Sequence, residues 1–190
     1  MSKRILDKLV VIDIESTCDE PRPEWQSEII EIGVCLLDLN TLEITKPLGI
    51  LVKNEFTPIT KFCTGLTSLT QEMLDESGIP LQYAVNILRD EYNISSRTWA
   101  SWGNYDRIML EGECQDVAGG FPGAKSTHIN LKNLLAVQNG WSKEIGVGEA
   151  LARWGMPFLG RQHRGVDNAI NIAKLYQKQL EFCRAAHLAR

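Results

Sequence analysis

The sequence VVIDIEST at residues 10–17 constrains the fold more than any other segment. Its apolar residues 10–12 would cover both faces of an extended segment, which is typical of a strand in the middle of a sheet. Because side chains alternate along a strand, Asp13 and Glu15 should lie close together on one face at its end. Two neighbouring carboxylates are unfavourable unless a cation neutralises them, so the pair is a candidate site for a hard metal ion. Exposed, solvated acids are the alternative, because D-x-E is a common triplet.

The hydrophobic pattern predicts three consecutive strands, followed by alternating helices and strands. Short connections join the early strands, which are expected at residues 8–15, 27–40 and 43–54. Later strands are expected at 97–103 and at the start of 127–140. Helical periodicity and cap residues predict helices at 68–77, 79–92, 104–117, the rest of 127–140, 146–155 and 165–190. Thr70 is a candidate N-cap and Gly155 suits the end of a helix. This order of elements predicts an α/β fold with a mixed five-stranded sheet flanked by helices.

Length and charge limit the kinds of partner. A chain of 190 residues fits one domain, with a core expected over about residues 8–180. The formal net charge of −4 excludes a chain-wide basic field. Nucleic-acid phosphates would therefore have to meet local positive patches or metal ions. No stretch approaches the ~18 apolar residues of a membrane span, so no membrane partner is expected.

The cysteine pattern favours a reducing compartment. The number of cysteines is odd, their spacing is wide and no C-x-x-C pair occurs, at Cys18, Cys35, Cys63, Cys114 and Cys183. This pattern argues against a disulfide framework and against a structural zinc site. The first residues also lack a long apolar segment typical of a secretory signal. We therefore predict a cytoplasmic protein.

Two further residues are candidates for chemistry. Asp106 follows the predicted strand at 97–103 and opens a helix, where an acid is also favoured simply by the helix dipole. His163 lies in the polar loop GRQHRGVDN that precedes the last helix. A histidine in a flexible loop is more often merely exposed, but this position also suits a base that must swing onto water.

Taken together, these segments resemble the DEDDh group of 3′→5′ exonucleases, which are DnaQ-like and have an RNase H-like fold. The first motif of that group is D-x-E on the first strand, the second is an aromatic residue followed by Asp, and the third is a His with an Asp five positions later. Asp13, Glu15, Asp106 and His163 stand at these positions. Further blocks resemble the ERI-type and KapD-like exoribonuclease branch in the same order, namely IDIESTC, SEIIEIG, FCTGLTSLTQ, WGNYDR, HINLK and HRGVDNAINIAKL.

The resemblance implies a metal-dependent 3′→5′ exoribonuclease built as a single exonuclease domain over residues 1–190. Its catalytic residues would be Asp13, Glu15, Asp106 and His163. Its ligands for two Mg²⁺ or Mn²⁺ ions would be Asp13, Glu15, Asp106 and Asn168. Such a site would hydrolyse the terminal phosphodiester of single-stranded RNA 3′ ends and release nucleoside 5′-monophosphates. The preference for RNA over DNA rests on the resemblance alone.

Residues next to the motifs are candidates for substrate contacts. Ser16 and Thr17 follow the acids and could contact the terminal ribose, with simple turn chemistry as the alternative. Phe62 or Leu66 could stack on a base, with core packing as the alternative. Candidate phosphate contacts, each of which is also an ordinary surface charge, are Arg107, Lys132, Arg161 and Arg164.

Position 168 departs from the family pattern, because the fifth residue after His163 is Asn168 where the group has Asp. An amide oxygen can coordinate a cation but brings no charge, so the site should hold its ion less tightly. The residue was exchanged on purpose, or the natural enzyme has an altered metal dependence, or Asp167 serves instead. The last explanation is disfavoured, because one step along a helix rotates a side chain by ~100°.

Two other functions compete with the leading one. A DNA or oligonucleotide exonuclease of the same fold would carry the same motifs. A pseudo-nuclease that binds 3′ ends without cutting them would explain Asn168.

Overall fold

The computed structural model describes residues 5–20 and 25–188 and contains a five-stranded sheet in the order β3-β2-β1-β4-β5. The strands are β1 (Ile5–Ser16), β2 (Ile29–Asp38), β3 (Ile44–Leu51), β4 (Arg97–Ser101) and β5 (His128–Asn130). Strand β2 pairs antiparallel with both β1 and β3, whereas β4 is parallel to β1 and to β5. The predicted mixed five-stranded sheet is therefore confirmed, with the apolar strand β1 at its centre.

Seven helices are found in the described residues, and six of them were expected. They are α1 (Lys61–Thr67), α2 (Gln71–Ser77), α3 (Leu81–Asp90), α4 (Tyr105–Glu113), α5 (Leu131–Gln138), α6 (Val147–Arg153) and α7 (Gly165–Leu188). The Thr70 side chain caps α2 by accepting a hydrogen bond from the Met73 backbone N–H at 3.2 Å. Gly155 follows the end of α6 with φ +66°, as a C-terminal glycine should. The last two residues of the predicted final helix, 189–190, lie outside the described residues.

One helix was missed and the end of another was predicted wrongly. Helix α1 was not predicted, because it is short and contains Gly65 and two threonines, which are poor helix formers. It forms because the Thr60 side chain caps it by accepting from the Cys63 backbone N–H at 3.0 Å. Helix α4 ends at Glu113 rather than at residue 117, and a series of turns follows it.

The two faces of the sheet pack against different helices. Even-numbered residues of β1, such as Val10 and Ile12, join one apolar cluster with α3 and α4. Odd-numbered residues, such as Leu9 and Val11, join a second cluster with α5, α6 and α7. Asp13 continues this odd-numbered series toward the end of the strand. On this face of β1, apolar residues therefore give way to acids where the strand lies next to the start of α7.

No helix in the part of the chain that the structure describes is long and apolar enough to cross a lipid bilayer. All five cysteines are free thiols, as the sequence pattern predicts.

Candidate active site

The acidic end of β1 is the centre of the candidate site. Asp13 and Glu15 are both buried, with exposed fractions of 9% and 8%. In the antiparallel register, Gly33 of β2 lies opposite Asp13 and Glu31 lies opposite Glu15. Residues opposite each other on neighbouring strands share one face of the sheet, so three acids and a glycine face the start of α7.

A contact between two glycine backbones brings α7 close to the acids. A Cβ atom added at Gly33 would lie 1.8 Å from the Gly165 carbonyl carbon. A Cβ atom added at Gly165 would lie 2.8 Å from the Gly33 nitrogen. Only glycine at both positions allows this approach, because any side chain would push the helix away from the sheet. The close approach lets residues in the first turn of α7 reach β1.

Asn168 makes that contact. Its Nδ2 atom donates to Oδ2 of Asp13 at 3.0 Å and to Oε1 of Glu15 at 3.2 Å. The neutral amide therefore lies between the two carboxylates. Asp167 points elsewhere, since its Oδ2 accepts from the Arg161 backbone N–H at 2.8 Å. The geometry agrees with the sequence argument that residue 168, and not 167, faces the acids.

Asp106 joins the site from the other side of β1. It lies in the first turn of α4 and is 5% exposed. Its Oδ1 atom accepts from the Ile14 backbone N–H at 3.0 Å. This bond fixes the start of α4 against β1, so the Asp106 carboxylate contacts the strand and not merely its own helix.

Burial and repulsion between neighbouring charges make ionisation unfavourable for three carboxyl groups, those of Asp13, Glu15 and Asp106. Burial, with the nearby Asp106 and Glu15 charges, raises the pKa of Asp13 well above its usual value. Burial and the Glu31 charge raise the pKa of Glu15 to about 8. Burial raises the pKa of Asp106 to about 6, although its hydrogen bond from Ile14 opposes the shift. A cation placed among these groups would favour their charged forms.

The oxygen atoms of the site are the kind of ligand that a hard divalent ion prefers, but Asn168 contributes no negative charge. Among the described residues, no group of three or more His, Cys, Asp and Glu side chains is arranged to hold a metal ion. The site instead offers the Asp13 and Glu15 carboxylates and the Asn168 amide, all of which bear oxygen ligands of the kind that Mg²⁺ and Mn²⁺ prefer. Rotation of the amide would turn Oδ1 toward the carboxylates in place of Nδ2.

His163 lies beside this cluster on the loop before α7. Its side chain is exposed, and its backbone has φ +59°, a conformation that non-glycine residues rarely adopt. It lines a cavity of about 440 Å³ together with Asn168, Phe158 and the start of α6. The histidine therefore shares an open cavity with Asn168, the residue that hydrogen bonds to the acids.

Ser16 and Thr17 differ in their surroundings. The Ser16 Oγ atom is 2.7 Å from the Tyr105 hydroxyl at the exposed rim of the site. Thr17 is fully buried, and its hydroxyl accepts from the Glu28 backbone N–H at 2.9 Å. The Thr17 hydroxyl thus serves the connection between β1 and β2, whereas Ser16 is placed where a ligand could contact it.

Helix α1 presents two apolar side chains to solvent next to the end of β1. Phe62 and Leu66 are 45% and 39% exposed. Cys63, between them, is buried and its Sγ atom is 3.7 Å from the Ser16 carbonyl oxygen. This exposure argues against the alternative that Phe62 and Leu66 are core residues. Both side chains are available for contact with a ligand.

Three of the four candidate phosphate contacts are in ion pairs. Arg107 pairs with Glu111 at 2.8 Å, Lys132 with Glu144 at 3.8 Å and Arg164 with Glu31 at 3.0 Å. The first two pairs are largely exposed, while Glu31 is fully buried. Arg161 is exposed and, in the described part of the chain, it has no ion pair.

Sequence reasoning gave no role to Glu31, Gly33 or Tyr105. The signal for Glu31 was present in SEIIEIG, because an acid inside an apolar strand needs a specific partner. The Tyr105 side chain is half exposed and hydrogen bonds to Ser16, but the motif had drawn attention only to the following aspartate.

Comparison with known proteins identifies the family. The family model described as RNase_T: Exonuclease matches residues 10–176. The chain belongs to this exonuclease family. It is 31% identical over 189 residues to 3′-5′ exoribonuclease 1 of Homo sapiens, covering 92% of this chain and 53% of the relative. It is 32% identical over 179 residues to ERI1 exoribonuclease 3 of Bos taurus, covering 87% of this chain and 51% of the relative. The chain thus spans about half the length of these curated relatives.

Solved structures agree with the fold. The nuclease domain of 3′hExo, a DEDDh family member bound to rAMP, superimposes with a TM-score of 0.84 at 27% identity and covers 95% of this chain and 94% of that one. The complex described as 3′-end specific recognition of histone mRNA stem-loop by 3′-exonuclease has a TM-score of 0.82 at 28% identity, with 94% and 65% covered. The RNase H-like α/β fold and the resemblance to the ERI-type DEDDh exonucleases are therefore confirmed.

Proposed function

We propose that this chain is a metal-dependent exoribonuclease that removes nucleotides from single-stranded RNA 3′ ends. The observation that carries the proposal is the convergence of Asp13, Glu15 and Asn168, which lie on two distant segments and meet within hydrogen-bonding distance. The names of the relatives support the same activity, since they are called 3′-5′ exoribonucleases. RNA is supported further by the related structures that contain rAMP or a histone mRNA stem-loop.

The chain's own residues have distinct parts in this reaction. Asp13 and Glu15 would bind the cations, with Asp106 completing the acidic side. Asn168 would present its amide oxygen after rotation. His163 would accept the proton of the attacking water from the cavity beside the acids. The DEDDh exonucleases generally use divalent ions; two Mg²⁺ or Mn²⁺ ions bound here would supply the charge that activates the water and stabilises the leaving oxygen.

The surroundings of the acids suit a terminal nucleotide. Phe62 and Leu66 on α1 offer an apolar surface on which a base can stack. The Ser16 and Tyr105 hydroxyls lie at the same end of β1, where they can contact the ribose. The protein's formal charge of −4 disfavours long contacts with the phosphate backbone, so short single-stranded 3′ ends are the expected substrates.

A binding module is the second candidate function, and one observation favours it. The Asn168 amide donates to both carboxylates, so the chain itself supplies hydrogen-bond donors to these acids. A protein with such a site would bind 3′ ends and cut them slowly or not at all.

The test is degradation of a 5′-labelled single-stranded RNA and of the matched DNA, with Mg²⁺, Mn²⁺ or EDTA. The parent chain is compared with Asn168→Asp, which restores the missing charge. We expect products that shorten from the 3′ end, no cleavage in EDTA, and a gain of about 10- to 100-fold for Asn168→Asp. RNA should be degraded faster than DNA.

The matched control is Asp167→Asn, which changes one charge at the neighbouring position without touching Asp13 or Glu15. It should leave the cleavage rate within about 2-fold of the parent. If neither the parent nor Asn168→Asp degrades any oligonucleotide, the exonuclease proposal is wrong and the binding function is favoured.

A further inference from the structure

A buried ion pair joins β2 to the residue before α7. The Arg164 Nε and Nη2 atoms donate to Oε2 and Oε1 of Glu31, each at 3.0 Å. The Gly165 backbone N–H donates to the same Oε2 at 2.9 Å. Glu31 is fully buried, and the Arg164 side chain is 27% exposed. One carboxylate thus receives three hydrogen bonds from two consecutive residues at the entry to the helix.

This ion pair lies between the two functional parts of the third motif. Arg164 directly follows His163, and Gly165 is the first residue of the helix that carries Asn168. Glu31 lies opposite Glu15 in the register of β1 and β2. The pair therefore connects the strand beside the acids with the backbone between the candidate base and the candidate ligand.

The pair and the glycine contact constrain different movements of α7. The approach of Gly165 to Gly33 limits how close the helix comes to the sheet, but a contact between two backbones without side chains does not by itself prevent sliding. Two parallel hydrogen bonds from a planar guanidinium to a carboxylate are directional. They prevent sliding and rotation of the helix entry relative to β2.

Stability alone does not explain why these charges are buried. A buried ion pair is often no more stable than apolar side chains of the same volume, because both charges lose their hydration. The cluster on this face of the sheet is otherwise apolar as far as Cys35 and Leu37 of β2. A pair that gives geometric precision is useful at this place, since a displacement of about 1 Å in a catalytic group can reduce a rate about 100-fold.

We propose that Glu31 and Arg164 are positioning residues, which fix the entry of α7 so that His163 and Asn168 reach the acidic end of β1. The inference deepens the proposed exonuclease function and rests on it for the kinetic part of its test. It also removes Arg164 from the candidates for phosphate contacts, because its guanidinium is committed to Glu31.

The test compares Arg164→Lys with Arg97→Lys in the full chain. Both changes keep the charge and remove a two-bond fork, since Arg97 donates to Asp7 at 3.0 and 2.8 Å at the opposite end of β1. The kinetic comparison uses the parent or the Asn168→Asp form, depending on which cleaves RNA faster. In that background, Arg164→Lys should lower kcat about 10- to 100-fold with little change in KM. Arg97→Lys should leave both constants within about 2-fold.

A spectroscopic measurement is independent of activity. The side-chain NH₂ group of Asn168 gives its own ¹⁵N–¹H signals, whose positions depend on its hydrogen bonds to Asp13 and Glu15. Arg164→Lys should shift these signals in the otherwise parental chain, and Arg97→Lys should not. Glu31→Gln is a second variant that keeps an acceptor for the Gly165 N–H, and it should shift the same signals.

The outcomes separate the two proposals. If no form of the chain cleaves RNA, the proposed function fails, and the Asn168 signals alone decide the positioning role. The positioning role is overturned if Arg164→Lys and Glu31→Gln leave the Asn168 signals unchanged, or if Arg97→Lys shifts them equally. Loss of cleavage in Arg164→Lys with unchanged Asn168 signals would likewise contradict it.

Discussion

The acids at the two ends of strand β1 have opposite pKa shifts and different hydrogen-bond partners. At the beginning of the strand, Asp7 receives two hydrogen bonds from Arg97, and these hold the pKa of Asp7 below its usual value. At the other end, Asp13 and Glu15 are buried and both accept hydrogen bonds from the neutral Asn168 amide. Burial raises the pKa of both, although the nearby Arg164 charge opposes the shift of Glu15. One strand thus carries an acid paired with a guanidinium and, at its other end, two acids that have no ion pair in the described part of the chain.

Asp7 and the two acids at the end of β1 differ in whether the protein itself supplies a cationic partner. Asp7 is paired with a guanidinium because that pairing joins β1 to β4, and nothing else has to enter there. In the proposed function, a divalent cation would neutralise Asp13 and Glu15, which have no ion pair among the described residues. Glu31 belongs to the first type although it lies opposite Glu15, since Arg164 neutralises it.

The largest effect should come from Asp13→Asn. It should lower cleavage on the order of 1,000-fold or more relative to the faster of the parent and Asn168→Asp forms. In EDTA it should instead raise the free energy of unfolding by about 1–4 kcal/mol, because a buried charge without a cation is removed. Cleavage assays and urea unfolding at pH 8 measure the two effects.

Mn²⁺ provides the control for this prediction. It should raise the Tm of the parent, since an ion that binds only the folded state stabilises it, and it should have little effect on Asp13→Asn. A variant that is less stable than the parent in EDTA would contradict the contrast between the two ends of β1.

Glu113 is an intermediate case, because a single backbone N–H group is its only hydrogen-bond donor among the contacts described. Both of its oxygens accept from the Ile29 N–H, at 2.9 and 3.1 Å, and burial raises its pKa to about 7. A raised pKa means that its contribution to stability is full below its ordinary pKa of 4.5 and is lost as the pH rises through 7. Because the Glu113 side chain is only partly buried, solvent screens this effect, and Glu113→Gln should be more stable than the parent by about 1 kcal/mol at pH 8.

Urea unfolding at several pH values tests this effect. At pH 4 the carboxyl group is protonated in both states, so the parent and Glu113→Gln should have nearly equal stability. Equal stability at pH 8 as well would show that the Glu113 charge is not desolvated in the folded protein.

The smallest effect should come from Asp7→Asn. The side chain of Asp7 is 38% exposed, so solvent screens its pairing with Arg97 and the loss should be only about 0.5 kcal/mol at pH 7. Because the folded pKa of Asp7 is lowered, this contribution is present above the ordinary pKa of 3.8 and is lost as the pH falls. Thermal unfolding at pH 7 and pH 3 measures this contribution. If Asp7→Asn lowered the free energy of unfolding by as much as Asp13→Asn raises it, the two ends of β1 would not differ in the way described.

Local patterns predicted most of the fold and part of the site. The apolar run at residues 10–12 indicated the central strand, because a strand in the middle of a sheet buries side chains on both faces. Helix α1 was missed, because its stability comes from the Thr60 cap and from the packing of Cys63 with Ile30 and Leu69, and not from propensity. The roles of Phe62 and Thr17 were ambiguous for a related reason, since exposure depends on what packs over a residue.

The sequence by itself determined that Asp13 and Glu15 share a face at the end of a buried strand, because alternation along a strand is a local property. It also determined that residue 168 carries no charge. Only the tertiary structure decided that the Asn168 amide lies between the two acids, that Thr17 turns inward, and that Arg164 serves Glu31. These contacts join residues more than 130 positions apart, except for that of Thr17, and depend on how closely α7 approaches the sheet at Gly33. A distance between elements is set by packing, which no local pattern contains.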